Sequence, residues 1–394
     1  METAGQNNTT LKHQNRGLIL RLLCSGKCTS RIEIARETGL SKMAATNIIN
    51  EFVKEGIVVE GKLQRAGKKG RSPVTLELVD TAPKVIGIHI NRNKCGVSLC
   101  DLKLNIIDGG RFSLTEENHD RMFEMIFEIL DGLLEKYKNE KILGIGIGAL
   151  GPVSVLDGMI LDPPNFFGMK NIHVRDIVKK RYDLPVLFEH EYDCAALTEL
   201  YFGEGRDLKN FYFLGISWGV GGGAILNGGL YRNEVGSPTE IGHMCINYNG
   251  PVCNCGRHGC LETYISSLRI REKLKEATGE DLSFEEFCKR YEYDAPDDVD
   301  RVFREMAVML AYGITNVVNL SGTLNYIIGH EGCLIPDRYL KDCERLVNER
   351  MMFKNHGKAR IIKSKLHDEV LSSTCACAII EKLFIGEAEE FVFS

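Results

Sequence analysis

The hydrophobic and polar positions of the chain change period twice. From about residue 10 to 24, Leu18, Ile19, Leu20, Leu22 and Leu23 form an apolar helical stripe. A second helix is predicted from Ser30, with Glu33 three residues on as a capping box and Ile32, Ile34 and Ala35 as its core face; Gly39 breaks it and Leu40 turns inward. Ser41 caps a third helix, predicted to run to about residue 55, bury Ala45, Ile48, Ile49, Phe52 and Val53, and stop at Gly56. Short alternating runs at 57–60 and 74–78 then read as two strands around a basic, glycine-rich tip, Gly67–Pro73. Helix, glycine turn, capped helix and hairpin are the pattern of a winged helix-turn-helix. In that geometry Ser41, Lys42, Met43, Thr46, Asn47 and Asn50 lie on or next to the face offered to a major groove, and Lys68, Lys69 and Arg71 at the wing tip would lie against phosphates or enter the minor groove.

After a short linker, 80–84, the pattern becomes one of buried strands. Runs at 85–90, 96–101 and 106–113 form a meander, an amphipathic helix covers about 121–138, and a buried strand follows at 142–147. Three antiparallel strands, a helix and a further strand predict a ribonuclease-H-like lobe of α/β class, as in actin and hexokinase-type kinases. A strand at 211–216 starts a second copy, with Gly219–Gly223 expected at its first hairpin and a last strand at 324–329. The predicted organisation is a winged domain at 1–79, a first lobe at 85–196 and a second at 197–379. A helix at 369–383, with Cys375, Ala376, Cys377 and Ala378 as small packing residues, should return to cross between the lobes, and the C-terminal helix stretch, about 380–394, should return to the first lobe.

Charge is unevenly spread. Residues 1–80 hold 13 Lys and Arg against 8 Asp and Glu, whereas the whole chain is −5, which leaves −10 for the remainder. A basic end on an acidic body suits a nucleic-acid contact at that end. The polar first residues show no secretory signal, and no apolar run approaches the ~20 residues that span a bilayer. A cytoplasmic protein is therefore expected, with its 14 cysteines as thiols or metal ligands and not disulfides.

The densest chemistry lies at 240–262, where His243, Cys253, Cys255 and Cys260 offer four ligands within eighteen residues, enough to close a structural zinc site. Around them, Glu-x-Gly-His and Cys-x-Cys-Gly-x-x-Gly-Cys-x-Glu resemble the signature of the ROK family of repressors, open reading frames and sugar kinases. The module at 39–58 resembles its winged-helix repressor branch, which includes xylose and N-acetylglucosamine repressors.

The resemblance implies a sugar or sugar-phosphate site between the lobes. It would be lined by Asn165, His190, Glu191, Glu240, His243 and Glu262, with zinc shaping its floor. It also exposes departures. The kinase Asp-x-Gly-Gly-Thr turn reads His89-Ile90-Asn91-Arg92-Asn93, and the Asn-Asp pair that carries the catalytic base reads His190-Glu191. Glu191 is left as a vestigial candidate for the base. Two functions follow: a repressor that binds operator DNA as a homodimer or tetramer and senses a sugar, or an ATP-dependent sugar kinase with an added DNA-binding arm.

Overall fold

The computed structural model describes residues 8–61, 74–234, 236, 239–352, 354–366 and 371–387. The N-terminal module contains α1 (Asn8–Cys24), α2 (Arg31–Thr38), α3 (Lys42–Lys54), β1 (Val58–Glu60) and β2 (Leu76–Leu78). Ser30 and Ser41 cap α2 and α3 by accepting from Glu33 N–H and Ala44 N–H, and Gly39 ends α2 at φ 71°. Glu33 returns its carboxylate to Thr29 N–H at 2.9 Å, one residue before the cap. The two strands pair antiparallel, which makes the wing. The wing-tip residues Lys68, Lys69 and Arg71 lie outside the described residues.

Two expected core positions are corrected. Ile32 is 66% exposed, because it sits about 200° around α2 from the buried Ile34 and both cannot face one core. Val53 is 38% exposed: the stripe Ala45, Ile48, Ile49 and Phe52 centres about a quarter-turn away.

The first lobe contains β3 (Lys84–Ile90), β4 (Lys94–Cys100), β5 (Ile106–Ser113), α4 (Met122–Lys136), β6 (Ile142–Ala149), β7 (Val153–Ser154), β8 (Met159–Ile160), α5 (Val174–Arg181), β9 (Val186–His190) and α6 (Glu191–Phe202). Its sheet has the order β5-β4-β3-β6-β9, antiparallel through the meander and parallel from β3 onward.

The second lobe repeats the plan with β10 (Phe211–Ile216), β11 (Val220–Leu226), β12 (Gly229–Leu230), α7 (Glu262–Ile265), α8 (Ser267–Thr278), α9 (Phe284–Arg290), α10 (Asp297–Ser321), β13 (Asn325–His330), α11 (Asp337–Arg350) and β14 (Arg360–Lys363). Its sheet order is β12-β11-β10-β13-β14. Strand β14 had no clear sequence signal: Arg360, Ile361, Ile362 and Lys363 are too few to show a period.

The glycine run is also relocated. Only Gly219 lies in the hairpin turn; Gly221, Gly222 and Gly223 are inside β11. Gly221 and Gly223 admit α6, whereas Gly222 faces the other side, where a Cβ would sit 2.8 Å from Phe213 O. A Cβ on Gly221 would overlap the Tyr192 ring, and one on Gly223 would sit 2.6 Å from Tyr192 O and 2.8 Å from Ala196 Cβ.

The last helix, α12, spans Leu371–Ile385, within two residues of the expected 369–383, and begins at the cleft between the lobes; residues 388–394 of the expected C-terminal stretch lie outside the described residues. It lies along β3 and β6, where Gly87 and Gly146 leave no room for a side chain beneath Ser372 and Cys375. The small residues Ser373, Thr374, Cys375, Ala376 and Cys377 make this close crossing possible, and all are buried.

Helices α6 and α12 share one hydrophobic cluster with the N-terminal module, uniting Ile19, Leu20, Ile34 and Phe52 with Leu200, Tyr201, Ile380, Leu383 and Phe384. Gly17 of α1 packs where a Cβ would come 2.5 Å from Leu383 O and from Phe384 O. The Tyr201 ring meets Phe384 edge-on at 5.0 Å and lies under the Arg21 guanidinium at 5.0 Å. At the rim, Lys27 pairs with Asp207 at 3.4 Å. The expected linker at 80–84 is likewise no loose tether: Ala82 and Lys84 are buried, and Lys84 Nζ donates to Ala82 O at 2.5 Å.

Candidate functional site: an inter-lobe cleft beside a histidine and cysteine cluster

A cleft of about 860 Å³ opens between the lobes. Its floor is set where β9 runs directly into α6, which presents His190 and Glu191 side by side. Glu191 Oε2 lies 2.7 Å from His89 Nε2 on β3 and accepts from Asn91 Nδ2 at 2.6 Å. Burial by itself would raise the Glu191 pKa. The hydrogen bond and charge of His89, with His330 and His190 nearby, outweigh it and hold the carboxylate at about 2. Burial pushes His190 down to about 4, so its imidazole is neutral at neutral pH. His190 Nδ1 is buried without a hydrogen-bond partner among the described residues. Replacing His89 with Ala should destabilise the fold by about 3–5 kcal/mol in thermal or urea unfolding, because it strands a buried charge. A change under about 1 kcal/mol would mean that the pair contributes little.

The opposite wall comes from the second lobe. Glu240, His243 and Glu262 all line the cleft. Burial raises the Glu240 pKa against the lowering effect of His243. Glu262 Oε2 accepts from Val220 N–H at 2.9 Å, which ties the start of α7 to the β10–β11 turn. Asn165 is placed differently. It is exposed, at φ 55°, and is not among the lining residues, whereas its neighbours Asp162 and Pro164 are. The positive φ turns the loop at Asn165, so proximity in sequence does not carry it into the cleft.

His243, Cys253, Cys255 and Cys260 converge. Their donor atoms all lie within 4.8 Å of one another. Cys253 Sγ is 3.6 Å from His243 Nδ1, and Cys255 Sγ is 3.6 Å from Cys260 Sγ. Tetrahedral zinc bonds of roughly 2.0–2.3 Å put neighbouring ligands about 3.5–3.8 Å apart, so the set fits zinc with no open position. The loop folds this way because Gly256 and Gly259 adopt φ 82° and 65°, and because Cys245 and Cys260 bridge antiparallel. Burial raises the Cys255 thiol, but hydrogen bonds from Arg257 and the neighbouring cysteines outweigh it and bring it down to about 6. His243 has two ring nitrogens, so Nδ1 can serve the cluster while Nε2 is left for the cleft. None of the fourteen cysteines is in a disulfide.

In the N-terminal module, Lys42, Met43 and Asn47 are exposed on α3, and Ser41 is spent on capping. Asn50 and Thr46 are partly engaged from the side. Arg31 donates to Asn50 Oδ1 at 2.8 Å and to Thr46 O at 3.1 Å, while also pairing with Glu60. Arg31 uses one of the two lone pairs of the Asn50 oxygen, so it orients the amide while one lone pair and the Nδ2 donors stay available for a base. Sequence reading missed Arg31 because it sits on the preceding helix, and took Asn91 only as a departure from the kinase turn, although it holds Glu191.

A winged helix-turn-helix on a two-lobed, sugar-kinase-type body, with a histidine and cysteine cluster at the cleft, defines the class. The chain belongs to the ROK family: the family profile matches residues 85–378, and a winged helix-turn-helix DNA-binding profile matches residues 13–59. It is 29% identical to the xylose repressor of Caldicellulosiruptor bescii, over 96% of this chain and 98% of that protein. It is 25% identical to the DNA-binding transcriptional repressor Mlc of Escherichia coli, over 81% of each. Among solved structures, a ROK family transcriptional regulator homologous to E. coli Mlc superposes with TM-score 0.77 at 24% identity, covering 96% and 98% of the two chains. A ROK family glucokinase from Streptomyces griseus gives 0.64 at 23% identity, over 74% of this chain and 98% of that one. No helix among the described residues is long and apolar enough to cross a membrane.

Proposed function

We propose that this chain is a sugar-responsive transcriptional repressor. It would bind operator DNA through the winged module as a cytoplasmic homodimer or tetramer, and a sugar in the inter-lobe cleft would alter that binding. The observation that carries this reading is the shared packing of the cleft and the winged module. Helices α6 and α12 start at the cleft, with Glu191 and with Leu371 and Ser372, and end against α1. A ligand that favours one arrangement of the lobes therefore acts on rods that support the DNA-binding domain. The repressor relatives, matched along nearly the whole chain, support the same reading.

Zinc in the His243, Cys253, Cys255 and Cys260 cluster would be structural, since four protein ligands leave no position for substrate. Its role is to hold Glu240, His243 and Glu262 toward ring hydroxyls. Asn165 would join them only if its loop closed over the ligand.

The alternative is a working kinase, and the cleft argues against it. A base must be free to meet the hydroxyl it deprotonates. Glu191 instead accepts from His89 and Asn91, and the side chains of Asn91 and Arg92 stand where a glycine turn would receive phosphates. A coupled ATP assay with magnesium and a hexose and pentose panel should show no turnover above background. Turnover abolished by Glu191→Gln would establish the kinase reading in its place.

A further inference from the structure

The loop that carries the histidine and cysteine cluster holds one more cysteine, Cys245, that the cluster does not use. The donor atoms of His243, Cys253, Cys255 and Cys260 converge, and Cys245 stands outside that group. Of the fourteen cysteines only Cys245 and Cys255 are exposed. Cys255 is taken up by the cluster, so Cys245 is the exposed thiol left for other chemistry.

The register places Cys245 directly against one of the four ligands. Cys245 and Cys260 form an antiparallel bridge. The bonds that make it flank the pair: Ile246 N–H donates to Gly259 O and Leu261 N–H to Met244 O, each at 2.9 Å. The two cysteines exchange no backbone bond themselves, so they are the non-hydrogen-bonded kind of pair. In such a pair the Cα atoms stand about 4.5 Å apart and the side chains share one face. A disulfide needs Cα atoms roughly 4.4–6.8 Å apart, and this pair meets that condition. Cys260 is fully buried and Cys245 is exposed, so the pair leads from solvent to the cluster.

We infer that Cys245 is a site of reversible oxidation by peroxide, and that its product, a disulfide with Cys260, dismantles the metal cluster. The inference rests on the cluster holding zinc. In the first step the Cys245 sulfur attacks one peroxide oxygen and the O–O bond breaks. A sulfenic acid forms, and the departing hydroxide takes the thiol proton as water. The Cys260 thiolate then attacks the sulfenic sulfur; the S–S bond forms, the S–O bond breaks and hydroxide leaves. Each sulfur is oxidised by one electron, and both peroxide oxygens end at the level of water. An accessible thiol beside a resolving cysteine is the arrangement that stops at the disulfide, which thiols can reduce again. A disulfide sulfur has no thiolate charge to offer a metal, so only His243, Cys253 and Cys255 remain as ligands. The hydrophobic cluster of the winged module contains no residue of this loop, so that module stays folded. Glu240, His243 and Glu262 lose the support of their wall of the cleft.

The full-length, zinc-loaded chain should be treated with a small molar excess of hydrogen peroxide and quenched with catalase. Zinc released over an untreated control is read with a chromogenic chelator, and disulfides are mapped by tandem mass spectrometry of the unreduced digest. About one zinc per chain should be released, together with a Cys245–Cys260 cross-link. Cys245→Ser should hold the same zinc at rest and release it at least tenfold more slowly under peroxide. Cys245→Ala gives the second reading if the melting curve of Cys245→Ser shows unfolding. Equal release from the two chains, with Cys260 cross-linked to Cys253 or Cys255, would overturn the inference and leave the zinc assignment standing. Zinc retained under peroxide would do the same, and a resting chain without zinc would overturn both.

Discussion

A chain carrying Cys255→Ser should lose its metal and its response to sugar while still binding operator DNA. Structural zinc in a cysteine and histidine site is worth about 10–16 kcal/mol of apparent binding free energy, coupled to folding of the loop that holds it. Here that loop positions Glu240, His243 and Glu262 on one wall of the cleft. Without metal, the close approach of Cys253 to His243 and of Cys255 to Cys260 rests on the loop's few backbone bonds alone. The hydrophobic cluster that joins the winged module to α6 and α12 contains no residue of this loop, so the DNA-binding end should stay folded. Elemental analysis should give about one zinc per chain before the substitution and none after. A mobility-shift assay should give similar operator affinity for the two chains and no sugar effect in the variant. Full metal occupancy in Cys255→Ser would show that Cys255 is not a ligand.

Replacing Gly17 with Val should uncouple the two ends of the molecule. The α1–α12 crossing has no space for a side chain at Gly17, where a Cβ would come 2.5 Å from Leu383 O and Phe384 O. A valine must push α1 away from the end of α12 or break their contact. Neither Gly17 nor Leu383 or Phe384 lines the cleft, and α1 holds α3 through the Arg16 pairs with Glu51 and Glu55, so sugar affinity and basal operator affinity should change little. Their coupling should fall from the usual 5- to 150-fold range, ~1–3 kcal/mol, toward none. Calorimetry with sugar and anisotropy with labelled operator would separate the three quantities. Intact coupling in a folded Gly17→Val chain would remove α12 as the transmitting element.

Much of this was legible in the sequence because periodicity and ligand spacing are local. Both lobes, the winged module and the four-residue cluster follow from patterns that fall within one or two elements. What the sequence hid depends on contacts between distant segments. Gly221 and Gly223 look like a phosphate turn until Tyr192 and Ala196 are seen against them. His89 reads as a lost carboxylate, yet it partners Glu191, 102 residues away. Asn50 reads as a lone surface amide in the sequence, whereas Arg31, nineteen residues earlier, orients it by donating to its oxygen. Asn165 matches a family position in sequence and still lies outside the cleft lining, because a left-handed turn redirects the loop.

The central claim is that sugar binding alone, without phosphoryl transfer, changes DNA binding. The most direct test is anisotropy of labelled DNA from upstream of the chain's own gene, titrated with protein in the absence of ATP and repeated with each sugar and sugar phosphate. Specific binding is expected, weakened or strengthened at least fivefold by one compound of the panel. Binding that no compound alters, or that responds only when ATP and magnesium are added, would contradict the claim.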